Sequence, residues 1–228
     1  YEGESKAYLD SLGLKGGRHD SFEPALSYPL PKQILENGAH SAAGDEYTKD
    51  YSNDMELLSS PLRRLSPVFH AADLVLVNCE GALTDKARQI GVNRTPEKFA
   101  KVMKSVGITM ANLANNHTFD AKERGFLDTI RALDSAGIAH VGGGMDLNGA
   151  RKPVIVERNG VKLGFLGYAQ FNNFGESSYA AEGRPGIAPM GPFLMKEDIR
   201  KLKSQVDIVL VAIHWSTSRS GNVSPENR

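Results

Sequence analysis

Three apolar runs in this 228-residue chain end on side chains able to bind a metal or carry a proton. Leu74-Val75-Leu76-Val77 leads into Asn78-Cys79-Glu80-Gly81, Ile108 to Leu113 leads into Ala114-Asn115-Asn116-His117, and Ile208 to Ile213 leads into His214-Trp215. If the runs are parallel strands of an open α/β sheet, their carboxyl ends face the crevice where such folds bind ligands. Groups far apart in sequence then converge. A carboxylate, amide oxygens and imidazoles together suit hard or borderline divalent ions such as Zn, Mn, Fe or Mg. Each group has a plainer reading as well. Glu80 can be an exposed loop carboxylate, Asn115 and Asn116 turn residues, and His117 and His214 histidines satisfied by their surroundings. Their joint placement at three strand ends favours a site.

Asp120 has two readings. It can cap the helix that starts near Ala121, the first choice on residue type, or it can orient His117 as a carboxylate behind the imidazole. Gly142-Gly143-Gly144 follows a short strand, but no dinucleotide or phosphate-loop fingerprint continues it, so a turn is expected. No Gly-x-Ser-x-Gly elbow is present, which disfavours serine hydrolase chemistry. Trp215 is expected to pack.

The elements that must position these groups alternate along the chain. Residues 1–51 are rich in Gly, Pro, Ser and charge and read as an irregular arm, with 52–228 as the folded domain. Met55 to Leu65 has helical spacing, interrupted by Pro61 and closed by Pro67. Strands are expected at Leu74 to Val77, Ile108 to Leu113, Ile138 to Val141 and Ile208 to Ile213. Helices are expected at Pro96 to Ser105, Lys122 to Ala136 and Leu194 to Lys203, with Gly107 and Gly137 as stops. Pro153 to Val156 and Val161 to Tyr168 flank Asn159-Gly160, a hairpin dipeptide. Gln170 to Pro192 reads as a long loop. Apolar runs unrelieved by polar alternation imply a sheet covered on both faces, and the fold class is α/β.

Composition narrows the function classes. Lys+Arg 27 balances Asp+Glu 27, so no basic nucleic-acid face and no acidic tail dominates. At 40% hydrophobic and 24% charged the chain can build a core. No run approaches the length of a membrane helix. Cys79 is the only cysteine, which excludes an internal disulfide and a cysteine-rich zinc site.

Four blocks carry a resemblance. Asp73-Leu-Val-Leu-Val-Asn-Cys-Glu-Gly81, Ala111-Asn-Leu-Ala-Asn-Asn-His-Thr-Phe-Asp120, Gly137-Ile-Ala-His-Val-Gly-Gly-Gly144 and Asp207-Ile-Val-Leu-Val-Ala-Ile-His-Trp215 resemble the CapA-type poly-γ-glutamate capsule biosynthesis family, itself similar to calcineurin-like metallophosphoesterases. The resemblance implies a layered α/β sandwich lacking its C-terminal portion here, and two divalent metal ions. Under it, Glu80, Asn116 and His214 are metal ligands, Asp45 of Gly44-Asp45 is a further ligand, and His117 is the catalytic acid beside Asp120. Asn78 and Asn115 stand behind the ligands. It further implies a phosphoester or anionic-polymer substrate, a cell-envelope setting and capsule-synthesis membrane proteins as partners. The alternative function is a non-catalytic scaffold or polymer-binding module. Ser216-Thr217-Ser218 stands where the family carries an acidic group, and its downstream histidine block would lie past Arg228. A phosphatase-like protein unconnected with capsule is a third reading.

Overall fold

A computed structural model describes residues 59–60, 62–86, 94–170 and 175–215 of the chain. The arm expected over 1–51, with Asp45 in it, the start of the Met55 to Leu65 segment and the loop after Trp215 lie outside the described residues.

Periodicity becomes element order. Helix α1 (Ser66–Ala71) precedes strand β1 (Leu76–Asn78), followed by β2 (Ala82–Leu83), β3 (Arg94–Thr95), helix α2 (Phe99–Ser105), β4 (Met110–Asn112) and helix α3 (Lys122–Ala136). Then come β5 (Ala139–Val141), β6 (Gly143–Gly144), the short helix α4 (Leu147–Ala150), β7 (Val154–Arg158), β8 (Val161–Ala169), β9 (Gly186–Ile187), helix α5 (Pro192–Lys203) and β10 (Ile208–His214). Helix α3 has the expected bounds. Its apolar face buries Phe126 and Leu133, and Gly137 ends it in the left-handed region at φ 66°.

Two three-stranded sheets form the centre. β1, β4 and β5 are parallel in that spatial order; β10 lies parallel to β8, which pairs antiparallel with β7. Met110 and Val141 of the first sheet cluster with Phe165 of the second, so the sheets face each other. Outside the first sheet, Phe126 and Leu133 of α3 and Met103 of α2 pack on Ala111 and Leu113. Outside the second, Leu202 of α5 packs with Leu166 and Tyr168. The result is a layered α/β sandwich with helix on sheet on sheet on helix.

Several expectations change. Pro67 opens α1 instead of closing the helix before it, since proline's missing N–H costs nothing in a first turn. Gly143–Gly144 is strand β6, paired antiparallel with β9, so neither the glycine turn nor the uninterrupted loop from Gln170 to Pro192 holds. A Cβ at Gly143 would stand 2.9 Å from Leu113 Cβ, which explains why small residues carry this pairing. The sheet is not covered throughout: Ile208 and Leu210 on β10 are 49% and 41% exposed, and Trp215 is half-exposed instead of packed. The hairpin is as expected, with Asn159 at φ 53° and Gly160 at φ 79° joining β7 to β8.

Candidate functional site

The carboxyl ends of β1, β4 and β10 meet as the apolar runs require. β1 and β4 pair from Leu76–Met110 to Asn78–Asn112, which sets Asn78 directly beside Asn112. Past the register, the Cys79 N–H donates to Asn112 O at 3.0 Å, holding the Glu80 segment against the end of β4. A cavity of about 280 Å³ lies there, its walls including Asn78, Asn112 and His214. Asn78 and His214, far apart in the chain, therefore line one crevice.

Five side-chain contacts surround it. Asn78 Nδ2 donates to Glu80 Oε2 at 2.9 Å. Asn115 Nδ2 donates to Asn78 Oδ1 at 3.2 Å and to Cys79 O at 2.9 Å. His214 Nε2 stands 2.8 Å from Asn116 Oδ1, a contact in which the imidazole N–H donates to the amide oxygen. His117 Nδ1 stands 2.9 Å from Asp120 Oδ2.

Asn115 is the buried pivot, 1% exposed. Its Oδ1 accepts from the His117 N–H at 3.0 Å and from the Thr118 N–H at 2.9 Å, and the single Thr118 hydroxyl proton is shared between it at 2.8 Å and Leu113 O at 2.6 Å. One amide thus fastens the loop that carries Asn116 and His117 and, through its other end, the segment that carries Glu80. Both amide ends are engaged, so its orientation is fixed.

Asp120 does not cap the following helix. The cap position of α3 is Ala121, with no side-chain hydrogen bond, and the Asp120 carboxylate turns back to His117. The Asp120–His117 contact is the geometry that the second reading of Asp120 requires, a buried carboxylate accepting from an imidazole N–H.

From below, α3 anchors the Glu80 segment. The Leu83 N–H donates to Thr129 Oγ1 at 2.8 Å, and Thr84 Oγ1 donates to Asp128 Oδ2 at 2.7 Å. Lys86 and Arg124 flank the fully buried Asp128 carboxylate at 3.9 and 3.3 Å, and Arg131 bonds it directly. Burial acts to raise the Asp128 carboxyl; the Thr84 hydroxyl, Lys86 and Arg131 outweigh it and hold the group below the usual carboxylate range.

Chemistry at the crevice belongs to imidazole, carboxylate and amide. Burial pushes the Cys79 thiol up to about 12, which keeps it protonated and out of nucleophilic roles. Among the described residues, no three His, Cys, Asp or Glu side chains stand close enough to hold a metal ion. Asn78 holds Glu80 and His214 contacts Asn116; Asn78 and His214 line the crevice, whereas Glu80 lines a neighbouring cavity with Asn78 and Cys79. No described helix is long and apolar enough to cross a membrane.

Asn112 is the residue that sequence reasoning passed over. It sits within a run read as continuously apolar, and its signal was an amide buried where a sheet interior wants carbon. It is 5% exposed and binds its own chain, donating to Ala114 O at 3.1 Å and accepting from the Ala114 N–H at 3.2 Å.

The crevice at the strand ends of a layered α/β sandwich, lined by the amides of Asn78 and Asn112 and the imidazole of His214, defines the class of site. The family model of the bacterial capsule synthesis protein PGA_cap matches residues 35–228, and the chain belongs to that family. It is 29% identical over 173 residues to the PGA biosynthesis protein CapA of Bacillus subtilis, covering 72% of this chain and 44% of that one. It is 30% identical over 174 residues to the capsule biosynthesis protein CapA of Bacillus anthracis, covering 72% and 42%. The chain therefore spans less than half the length of these relatives. Among solved structures it is similar to the NAD nucleotidase of Haemophilus influenzae, at 17% identity and TM-score 0.47, covering 70% of this chain and 32% of that one.

Proposed function

We propose that this protein is a metal-dependent hydrolase associated with capsule polymer, cleaving a phosphoester or γ-glutamyl bond in an anionic substrate at the cell envelope. One observation carries the reading. A carboxylate, Glu80, is held by an amide and meets no cation among the described residues, while Asn115 joins its segment to a loop whose imidazole is oriented by a second carboxylate. The names of the two relatives, both of capsule or PGA biosynthesis, support the polymer as substrate class.

The described donors fit a hard or borderline divalent ion in kind, with Glu80, Asn116 and His214 as its holders. Asp45, outside the described residues, would add a further carboxylate, and a second ion would need more ligands still. When bound, such ions polarise the scissile group and lower the pKa of a bound water. The chain's own residues do the rest. Asp120 accepts from His117 Nδ1–H and fixes the ring, whose Nε2 would donate to a leaving oxygen. Asn115 keeps that ring in register with the Glu80 segment.

The second reading, a polymer-binding module of capsule assembly without turnover, draws on the absence of a three-ligand cluster among the described residues. Elemental analysis of the purified chain, with turnover of an aryl phosphodiester in added Mn, separates the two. Bound metal with turnover that disappears in His117→Ala supports the hydrolase. Metal-free protein without turnover, still retaining poly-γ-glutamate in a binding assay, supports the module.

A further inference from the structure

We propose that Asn112 is a positioning residue of the crevice: together with Asn115 it determines, through Asn78, which edge of the Glu80 carboxylate is held and which is presented. The inference rests on reading Glu80 as a cation ligand, and its geometry stands without that reading.

Asn78 Oδ1 receives two amide donors, Asn115 Nδ2 at 3.2 Å and Asn112 Nδ2 at 3.4 Å. An amide oxygen facing two N–H groups cannot exchange places with its own NH₂, because donor would then meet donor. The Asn78 amide is thereby set with Nδ2 toward Glu80, where it holds Oε2 at 2.9 Å. Oε1 is the oxygen left for a cation. The direction of a hydrogen bond on the exposed side of the crevice is decided by an amide on its buried side.

Asn112 is itself locked. Its Oδ1 takes the Ala114 N–H, and the two protons of Nδ2 go to Ala114 O and Asn78 Oδ1. The fold also clears a notch for this side chain. A Cβ at Gly142 would come within 2.8 Å of Asn112 Oδ1, and one at Gly167 within 2.3 Å. Gly142 joins β5 to β6 and Gly167 lies in β8, so both sheets give up a side chain where the amide sits. A buried amide with every donor and acceptor engaged, in a space bounded by two glycines, is an expensive way to fill a core. A leucine there would have been the ordinary filling, and the amide's remaining contact is Asn78.

The test is a double-substitution cycle on the full chain, with Mn alone as probe. Asn112→Ser removes the donor to Asn78 and keeps a hydroxyl able to accept from the Ala114 N–H, so the turn survives. Expected is about a tenfold loss of Mn affinity in Asn112→Ser and in Asn78→Ala, with the double variant no weaker than Asn78→Ala. Additive losses, or no loss in Asn112→Ser, would overturn the proposal, since a merely structural role is not erased by removing Asn78. The side-chain NH₂ resonances of Asn78 in metal-free protein give a second readout. One proton should be shifted by the carboxylate, with the shift lost in Glu80→Ala and reduced in Asn112→Ser, where Asn115 alone still donates to Asn78 Oδ1. If the wild-type chain binds no Mn while the resonances behave so, the metal reading of Glu80 fails and the positioning stands. If wild-type Asn78 shows no proton that responds to Glu80→Ala, the positioning falls, whether or not Asn112→Ser folds.

Discussion

The Asp120 carboxylate stands 2.9 Å from His117 Nδ1, on a loop just ahead of α3, and so orients the ring through its Nδ1–H. Replacing Asp120 by Asn keeps the shape and removes the negative partner of a protonated ring. Turnover of an aryl phosphodiester should fall by about 10- to 100-fold, with Mn occupancy unchanged. His117→Ala should abolish turnover and also spare metal. Full activity in His117→Ala would sink the assignment of the acid.

Glu80 and His214 are expected to act on the metal itself. Glu80→Ala and His214→Ala should each lower the Mn bound per chain, read by elemental analysis after dialysis. Asn116→Ala should do the same, because its Oδ1 lies 2.8 Å from His214 Nε2. Unchanged occupancy in all three would place any metal elsewhere.

The strand ends were legible in the sequence because continuous apolar runs bounded by polar clusters have few other meanings in an α/β chain. The hairpin at Asn159-Gly160 and the stop at Gly137 were legible for a local reason, since both sites demand positive φ. What was not legible is long-range. Nothing near Gly143 in sequence announces β9, which follows only after two further strands, and nothing near Asp120 announces that its carboxylate turns back to His117 instead of forward to the helix. Asn112 was hidden because apolar periodicity counts carbon and cannot say where one buried amide finds its partners.

Asp128 holds the floor of the site. Its carboxylate is fully buried while its cationic partners remain largely in water, so its loss strands the Thr84 hydroxyl and frees three exposed cations. Asp128→Ala should cost about 3 kcal/mol of stability, toward the low end for breaking a buried charged contact because the cations resolvate. Asp128→Asn should cost less, since an amide oxygen still accepts from Thr84. Urea denaturation of the three proteins checks the order.

His140 predicts a loss of stability in mild acid. Burial holds its imidazole below the ordinary histidine value, against the opposing pull of Asp134, whose Oδ1 lies 3.4 Å from Nε2. Nδ1 is buried and finds no partner among the described residues, so a proton placed there would have no acceptor. Its folded-state value is lowered, so as pH falls below the unfolded value near 6.5 the unfolded chain takes up a proton that the fold refuses. Stability should therefore drop through that window and be unaffected by this group above it. Asp146 and Lys152 line the adjoining cavity and remain in place in His140→Leu, so the comparison isolates the imidazole. The Tm of His140→Leu should fall less between pH 7.5 and 5.5 than that of the unsubstituted chain, and equal falls in the two proteins would remove His140 as the source.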